Sequence, residues 1–162
     1  MTLREDEIEH EDGSRGIYSV VDKPDFALVV PLENDGFHLV EEYRYPIGRR
    51  RWQFPQGGFP SGVTGTPEQL AAAELREETG FTAGRWARLG YLNAAHGMTN
   101  QNYHVFLATD LTAGEPRREA TEQDMRQEWF PRAEVERMIR DGVLTDDSSL
   151  AAYLLLTMRA AD

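Results

Sequence analysis

Apolar and polar residues along the chain predict an order of strands, one long helix, further strands and two closing helices. Runs of β-branched and aromatic residues separated by turn residues predict strands at 17–21, 26–32, 37–45, 51–54, 86–94, 102–111 and 127–131. Helical periodicity predicts the two closing helices at 132–142 and 148–160. This order favours an α/β fold, a three-layer α/β/α sandwich with a mixed β-sheet between helices.

The domain organisation expected from this pattern is a polar N-terminal segment, residues 1–16, followed by a single domain over residues 17–162. The 162 residues suit one hydrophobic core rather than two. The first segment is acidic and ends in "EDGSRG", which predicts a frayed start or a small hairpin turn.

The long helix has clear start and stop signals. A glycine-rich loop, "QGGFPSGVTG" at residues 56–65, leads to Thr66, which is a good N-cap residue. Pro67 fits the first helical position, and Gln69 completes a Thr-x-x-Gln capping box. Gly80 supplies the C-terminal stop, so we expect a helix between Thr66 and Gly80.

Three carboxylates share one face of this predicted helix. Glu74, Glu77 and Glu78 are spaced i, i+3, i+4, while Leu75 and Ala71 point to the interior. Like charges at this spacing repel, and a divalent cation reverses the sign of that interaction. Oxygen-only ligands favour magnesium or manganese over zinc. A solvated helix face is the alternative that the carboxylates by themselves leave open.

Composition and charge narrow the function further. The net charge of −11 argues against general nucleic-acid binding, although arginines cluster at Arg44 and at 49–51. The chain has no cysteine, which excludes disulfides and thiol chemistry. The start of the chain does not resemble a secretory signal, and no stretch approaches the roughly 18 apolar residues of a membrane span. We therefore expect a cytoplasmic protein without a membrane partner.

The segment from Gly57 to Phe81 resembles the Nudix box, the metal-binding motif of Nudix hydrolases. The family pattern is a glycine, five residues, a glutamate, seven residues, then Arg-Glu-apolar-x-Glu-Glu-x-Gly-apolar. The residues that match its second half are Glu74, Leu75, Glu77, Glu78, Gly80 and Phe81. The flanking "EEYRYPIGRRRWQFPQGG" and "GMTNQNYHVFLATDL" are similar to ADP-ribose pyrophosphatases of that family.

Three features depart from the family pattern. The loop after Gly57 is two residues longer, and Gly65 stands at the position of the first glutamate. Ala73 replaces the arginine that orients the carboxylates in the family. The alternative that these departures leave open is a catalytically impaired Nudix-fold domain that binds a nucleotide.

The resemblance implies a magnesium-dependent pyrophosphohydrolase, with manganese as an alternative metal. It would cleave the diphosphate of ADP-ribose or a related nucleoside diphosphate derivative into AMP and a sugar phosphate. The resemblance assigns Glu74 and Glu78 as metal ligands, together with the backbone carbonyl of Gln56. Glu77 would be a further ligand or the orienting base. Dinucleoside polyphosphates are an alternative substrate class.

The remaining roles also come from the resemblance. Arg44 would hold the phosphates. Glu122, in the loop 115–127, would be the general base, and the rival residues in or near that loop are Glu119, Asp124 and Glu128. His96 stands where ADP-ribose members carry a proline and would contact the substrate. The family also suggests a homodimer built partly from the N-terminal strands.

Overall fold

The structure is a computed structural model, which describes residues 1–60, 62–118 and 123–159. The strands in these ranges are β1 (Thr2–Glu9), β2 (Arg15–Asp22), β3 (Phe26–Glu33), β4 (Gly36–Arg44), β5 (Arg49–Gln53), β6 (Gln56–Gly57), β7 (Thr82–Asn93), β8 (Asn102–Thr112) and β9 (Arg126–Pro131). The helices are α1 (Pro67–Thr79), α2 (Arg132–Arg140) and α3 (Asp147–Arg159), and a 3-10 turn covers Tyr45–Ile47.

The central sheet is mixed, as the sequence predicts. Its strands run in the order β5-β4-β3-β8-β7, with β6 paired to β3 and β9 paired to β4. The β3–β8 pair is parallel, whereas β3–β6, β4–β5, β4–β9 and β7–β8 are antiparallel. The first two residues of the predicted glycine-rich loop thus form a short strand, β6, which pairs with β3 in the centre of the sheet.

Strand β3 shows why the fold has three layers. Ala27 and Val29 pack with α1 on one face, and Leu28 and Val30 pack with α2 and α3 on the other. All four are fully buried. Successive side chains of a strand point to opposite faces, so the two pairs pack against different helical layers. A strand covered on both faces reads as a continuous apolar run, which is why "FALVVPL" shows no alternation. The predicted α/β/α sandwich is confirmed.

The small hairpin turn expected at "EDGSRG" is confirmed, since the His10 N–H donates to the Ser14 carbonyl at 2.8 Å and the Gly13 N–H to the His10 carbonyl at 2.9 Å. The segment before the turn was not predicted to be a strand. It forms β1, which pairs with β2 from Thr2 opposite Asp22 to Glu9 opposite Arg15. These two strands make a separate two-stranded sheet. The pattern of "TLREDEIE" concealed the strand because only one apolar residue lies on each face. The segment is a strand because its backbone pairs with β2, and not because its side chains alternate between polar and apolar.

Helix α1 begins and ends as its sequence signals predict. The Thr66 hydroxyl accepts the Gln69 backbone N–H at 3.2 Å, and the Gln69 amide oxygen accepts the Thr66 N–H at 2.9 Å. Gly80 closes the helix with a φ of 81° and donates its N–H to Arg76. Across the described ranges, no helix combines the length and apolar character that crossing a membrane requires.

Candidate functional site

The first feature of the site is the contact between α1 and strand β6. Glu74 is 8% exposed and Glu78 is 2% exposed, so neither lies on a solvated face. A β-carbon built on Gly57 would lie 2.7 Å from the carboxyl carbon of Glu74. Such a distance is far inside van der Waals contact, so a side chain at this position would displace the Glu74 carboxylate.

Glu78 approaches the neighbouring residue of the same strand. The backbone N–H of Gln56 donates to Glu78 Oε2 at 3.3 Å. Two residues of β6 therefore face two carboxylates one helical turn apart. Hydrogen bonding to the charged form stabilises a carboxylate at a buried position, which would otherwise be costly.

Glu77 has a different environment from its two neighbours. Its side chain is half-buried, and its backbone carbonyl accepts the N–H of Arg117 at 2.9 Å. The Glu78 carbonyl accepts Arg118 Nε at 3.3 Å. These bonds connect the last turn of α1 to the segment after β8, from which the sequence predicted the general base.

The donor set at β6 and α1 suits a hard divalent cation. Two buried carboxylates and the Gln56 carbonyl group are oxygen ligands of the kind magnesium takes. Among the described residues, no three acidic or histidine side chains already converge in a metal-binding arrangement. The absence of a side chain on Gly57 leaves space for the Glu74 carboxylate against the backbone of β6.

The structure shows what surrounds Gly65 and Ala73, the two residues that depart from the box pattern. A β-carbon on Gly65 would lie 2.7 Å from the Phe59 ring and 2.9 Å from the Gln69 amide oxygen. A glutamate there would displace the ring or the group that caps α1. Ala73 is half-buried, and the Gln56 N–H supplies a hydrogen bond to Glu78 from the strand instead of from an arginine on the helix.

A cleft of about 410 Å³ lies on the β6 side of this contact, and none of the three α1 glutamates is among the described residues that line it. Gln56 and Gly57 form part of its wall, together with Arg44 and Lys23, which is the only lysine of the chain. Asp146 and Asp147 line the same cleft. Cationic and acidic side chains in one cleft suit a ligand that carries both phosphate and metal.

Arg44 is held in place by its neighbours on the sheet. Its Nη2 donates to the Gln53 side-chain oxygen at 2.8 Å and lies 2.8 Å from Glu42 Oε1. Gln53 in turn donates to Glu42 at 3.2 Å. The guanidinium therefore enters the cleft in a fixed orientation, with 41% of the side chain exposed.

An aromatic pair, Phe26 and Tyr103, lies beside the cleft. Their rings stack at 4.8 Å between centroids, and Phe26 lines the cleft. Burial raises the pKa of the Tyr103 hydroxyl, so this group stays protonated. The pair supplies an uncharged surface beside the polar groups.

The other predicted site residues are placed differently. His96 is exposed in the turn after β7 and does not line the cleft, whereas Ala94 and Ala95 do. Glu122 and its rival Glu119 lie outside the described residues. Of the other rivals, Asp124 accepts Arg50 Nη1 at 2.5 Å, and Glu128 is exposed on β9.

Arg50 ties the end of the 115–127 loop to the sheet. Besides the Asp124 carboxylate, it donates to the Asp124 carbonyl at 2.8 Å and to Glu41 Oε2 at 2.9 Å. The hydrogen bonds that Arg50 donates to Glu41 and to Asp124 raise the pKa of its guanidinium, which keeps its charge.

Sequence reasoning missed Asp146 as a site residue. Its Oδ2 accepts the Gln56 side-chain Nε2 at 3.0 Å, and it lines the cleft. The available signal was local, since "TDDSS" before an apolar run marks a helix N-terminus. Nothing local connects it to Gln56, which is 90 residues away.

Comparison with known proteins gives a consistent result. A family model described as NUDIX domain matches residues 23–153. An ADP-ribose pyrophosphatase of Mycobacterium tuberculosis is 34% identical over 155 residues, which cover 94% of this chain and 74% of that protein. An ADP-ribose pyrophosphatase of Bacillus subtilis is 29% identical over 120 residues, 74% of this chain and 64% of that protein.

A solved structure shows the same fold. The crystal structure of an ADP compounds hydrolase superposes with a TM-score of 0.83 at 23% identity, covering 96% of this chain and 84% of the other.

Proposed function

Because the chain belongs to the Nudix family and is a Nudix hydrolase, we propose that it hydrolyses the diphosphate of ADP-ribose to AMP and a sugar phosphate. The observation that carries this proposal is the packing of Glu74 and Glu78 against Gln56 and Gly57 at the wall of a cleft. The two ADP-ribose pyrophosphatases support the choice of substrate.

The proposed metal is magnesium, which manganese can replace. Glu74 and Glu78 would hold it with the Gln56 carbonyl oxygen, and Glu77 would be a further ligand or the base that orients water. When bound, such a cation stabilises negative charge on the phosphoryl oxygens and makes the attacking water more acidic. The residues of the chain do the binding, the orienting and the proton transfer.

Substrate binding is assigned to the cationic side of the cleft. Arg44 would hold the diphosphate through its guanidinium, whose orientation Gln53 and Glu42 fix. Lys23 lines the same cleft and would add a second positive charge. His96 does not line this cleft. To contact it, a substrate bound in the cleft would have to extend to the turn after β7.

Hydrolysis requires a water molecule, an acceptor for its proton and a leaving phosphate. The water oxygen forms a bond to phosphorus, the bond from phosphorus to the bridging oxygen breaks, and a carboxylate takes the water proton. Glu122 is the proposed acceptor, with Glu77 as the alternative.

We also propose a homodimer formed through the β1–β2 hairpin and a location in the cytoplasm. Leu3 is 75% exposed and Ile17 is 66% exposed. Both lie on the same face of the hairpin, since Leu3 is opposite Val21 and Glu7 is opposite Ile17. Glu5, Glu7 and Glu9 lie on this face too, so a second copy would cover two exposed apolar side chains within a largely acidic surface.

The test is a substrate panel assayed for AMP or phosphate release with and without magnesium. ADP-ribose should be hydrolysed faster than dinucleoside polyphosphates, and only with the metal. Faster hydrolysis of a dinucleoside polyphosphate would mean that this class of compound, and not ADP-ribose, is the substrate. If no compound is hydrolysed while ADP-ribose raises the melting temperature, the chain is a nucleotide-binding domain instead.

A further inference from the structure

We propose that Asp146 and Ser149, at the start of α3, are positioning residues for the site formed by β6 and α1. They hold the segment 54–56 in the place where the Gln56 carbonyl oxygen can serve as a metal ligand. This inference rests on the proposed function, because it deepens the account of the same site.

Ser149 is the buried centre of the connection. It is 0% exposed, and its Oγ accepts the backbone N–H of Phe54 at 2.9 Å. The same hydroxyl donates to Asp146 Oδ2 at 2.7 Å. One side chain therefore links the end of β5 to the N-terminus of α3.

Asp146 extends the connection to Gln56. Its Oδ2 accepts the Ser149 N–H at 2.8 Å, which is the bond of a helix N-cap. The same oxygen also accepts Gln56 Nε2 at 3.0 Å. The cap alone requires only the first of these bonds, so the bond to Gln56 is an additional constraint on the strand.

The three residues of the segment are held from three directions. The Phe54 N–H is bound by α3, the Pro55 carbonyl accepts the Val29 N–H of β3 at 2.9 Å, and the Gln56 N–H donates to Glu78 of α1. Loss of the α3 contacts leaves the position of Gln56 to be set by the other two.

A small displacement of Gln56 has two effects on the proposed ligands. It moves the Gln56 carbonyl oxygen, and it lengthens the 3.3 Å hydrogen bond that orients the Glu78 carboxylate. Groups that orient metal ligands typically change metal affinity or activity about 10- to 100-fold when they are removed. Asp146 and Ser149 should therefore affect metal binding more than folding.

The variants are chosen to separate positioning from helix capping. Asp146→Ser keeps a good N-cap residue but shortens the side chain, so it loses the reach to Gln56. Ser149→Ala removes the hydroxyl that contacts Phe54. The matched control is Tyr153→Phe, which removes one hydrogen bond of the same helix, to Glu136 at 2.8 Å, away from the cleft.

The experiment measures Mn²⁺ binding to the full chain by electron paramagnetic resonance, and separately the Mg²⁺ concentration that gives half-maximal hydrolysis of ADP-ribose. Asp146→Ser and Ser149→Ala should weaken Mn²⁺ binding by about tenfold or more. Their half-activating Mg²⁺ concentration should rise to match, and Tyr153→Phe should behave as wild type in both assays.

Unchanged Mn²⁺ affinity in Asp146→Ser, with the protein folded by melting temperature, would overturn the inference. A wild-type protein that binds Mn²⁺ but does not hydrolyse ADP-ribose would refute the proposed substrate, while the Mn²⁺ affinities would still decide the positioning role. A wild-type protein that binds no Mn²⁺ would overturn the inference together with the metal site.

Discussion

The carboxyl carbon of Glu74 lies 2.7 Å from the point where a β-carbon on Gly57 would stand. A methyl group on Gly57 would therefore displace the Glu74 carboxylate. Glu74, at 8% exposure, is packed against the backbone of β6. The contact connects Gly57, the first glycine of the Nudix box, to Glu74 in the second half of the box.

Substitution of Gly57 should therefore damage the site. Gly57→Ala forces the Glu74 carboxylate to move, and a displacement of about 1 Å at a reacting centre can cost on the order of 10²-fold in rate. We expect kcat on ADP-ribose to fall by that order. Gly58→Ala is the matched control, since its β-carbon would lie an ordinary 3.6 Å from the Asp25 carbonyl oxygen. An equal loss in both variants would contradict the explanation.

Glu78→Gln should abolish turnover while the protein stays folded. The amide keeps the shape of the side chain and an oxygen for the Gln56 N–H, but it removes the charge needed for a metal ligand. The fall in kcat should be larger than the about 10- to 100-fold fall that typically follows the loss of a residue that only orients a metal ligand. Steady-state rates and a melting curve measure the two effects.

The control for that variant is Glu68→Gln in the first turn of α1, where the side chain is exposed. It should leave kcat close to the wild-type value. Full activity of Glu78→Gln would remove Glu78 from the proposed ligands.

Arg44→Lys should raise the KM for ADP-ribose more than it lowers kcat. Lysine keeps the charge but lacks the planar fork that contacts two oxygens, and it cannot reproduce the bonds that fix Arg44 to Gln53 and Glu42. We expect about a tenfold rise in KM, which corresponds to about 1.4 kcal/mol. Arg49→Lys, on the exposed start of β5, is the comparison, and an unchanged KM in Arg44→Lys would exclude the phosphate contact.

His38 should make the stability of the protein depend on pH. Burial lowers the pKa of this imidazole and outweighs the nearby Glu33, which raises it. The neutral ring accepts Gln127 Nε2 at 2.8 Å on Nδ1 and donates from Nε2 to Glu33 at 3.2 Å. Because the unfolded chain binds the proton more tightly, stability from neutral His38 is complete above about pH 6.5 and is lost as the pH falls through its folded pKa.

Urea unfolding at about pH 7.5 and about pH 5, on either side of the ordinary histidine pKa, measures this effect. The free energy of unfolding should fall more between these values in the wild type than in His38→Gln. His10→Gln, at an exposed position in the hairpin turn, should behave as wild type. Identical pH profiles for all three proteins would refute the assignment.

The hairpin face should control the oligomeric state. Replacing both Leu3 and Ile17 by glutamate places charges on the proposed contact surface, so light scattering after gel filtration should show the mass fall to that of a monomer. Leu154→Glu, which changes a 58% exposed leucine of α3, should keep the dimer. A wild-type protein that runs as a monomer would refute the proposed dimer.

The sequence predicted the elements whose signals are local. The ends of α1 follow from Thr66, Gln69 and Gly80 because a cap needs partners only within one turn. The spacing of Glu74 and Glu78 placed both carboxylates on one face of α1, since helical geometry is the same wherever the helix lies. The apolar run of β3 likewise predicted a strand inside the sandwich.

The limits of strands that depend on backbone pairing with another strand were predicted less well from the sequence. Strand β1 was not predicted because its residues are mostly polar and its hydrogen bonds come from β2. Strand β7 begins at Thr82 rather than at residue 86, since its pairing with Thr112 of β8 extends it toward α1. Backbone pairing across a sheet is long-range, so local composition does not set these limits.

Tertiary structure alone decided how the site is assembled. The sequence placed the carboxylates on a helix, but only packing brought Glu74 against Gly57 and buried it. Only packing brought Asp146 to Gln56 across 90 residues. The physical reason is that capping and periodicity act within a few residues, whereas burial and side-chain contacts depend on how separate elements of the chain meet.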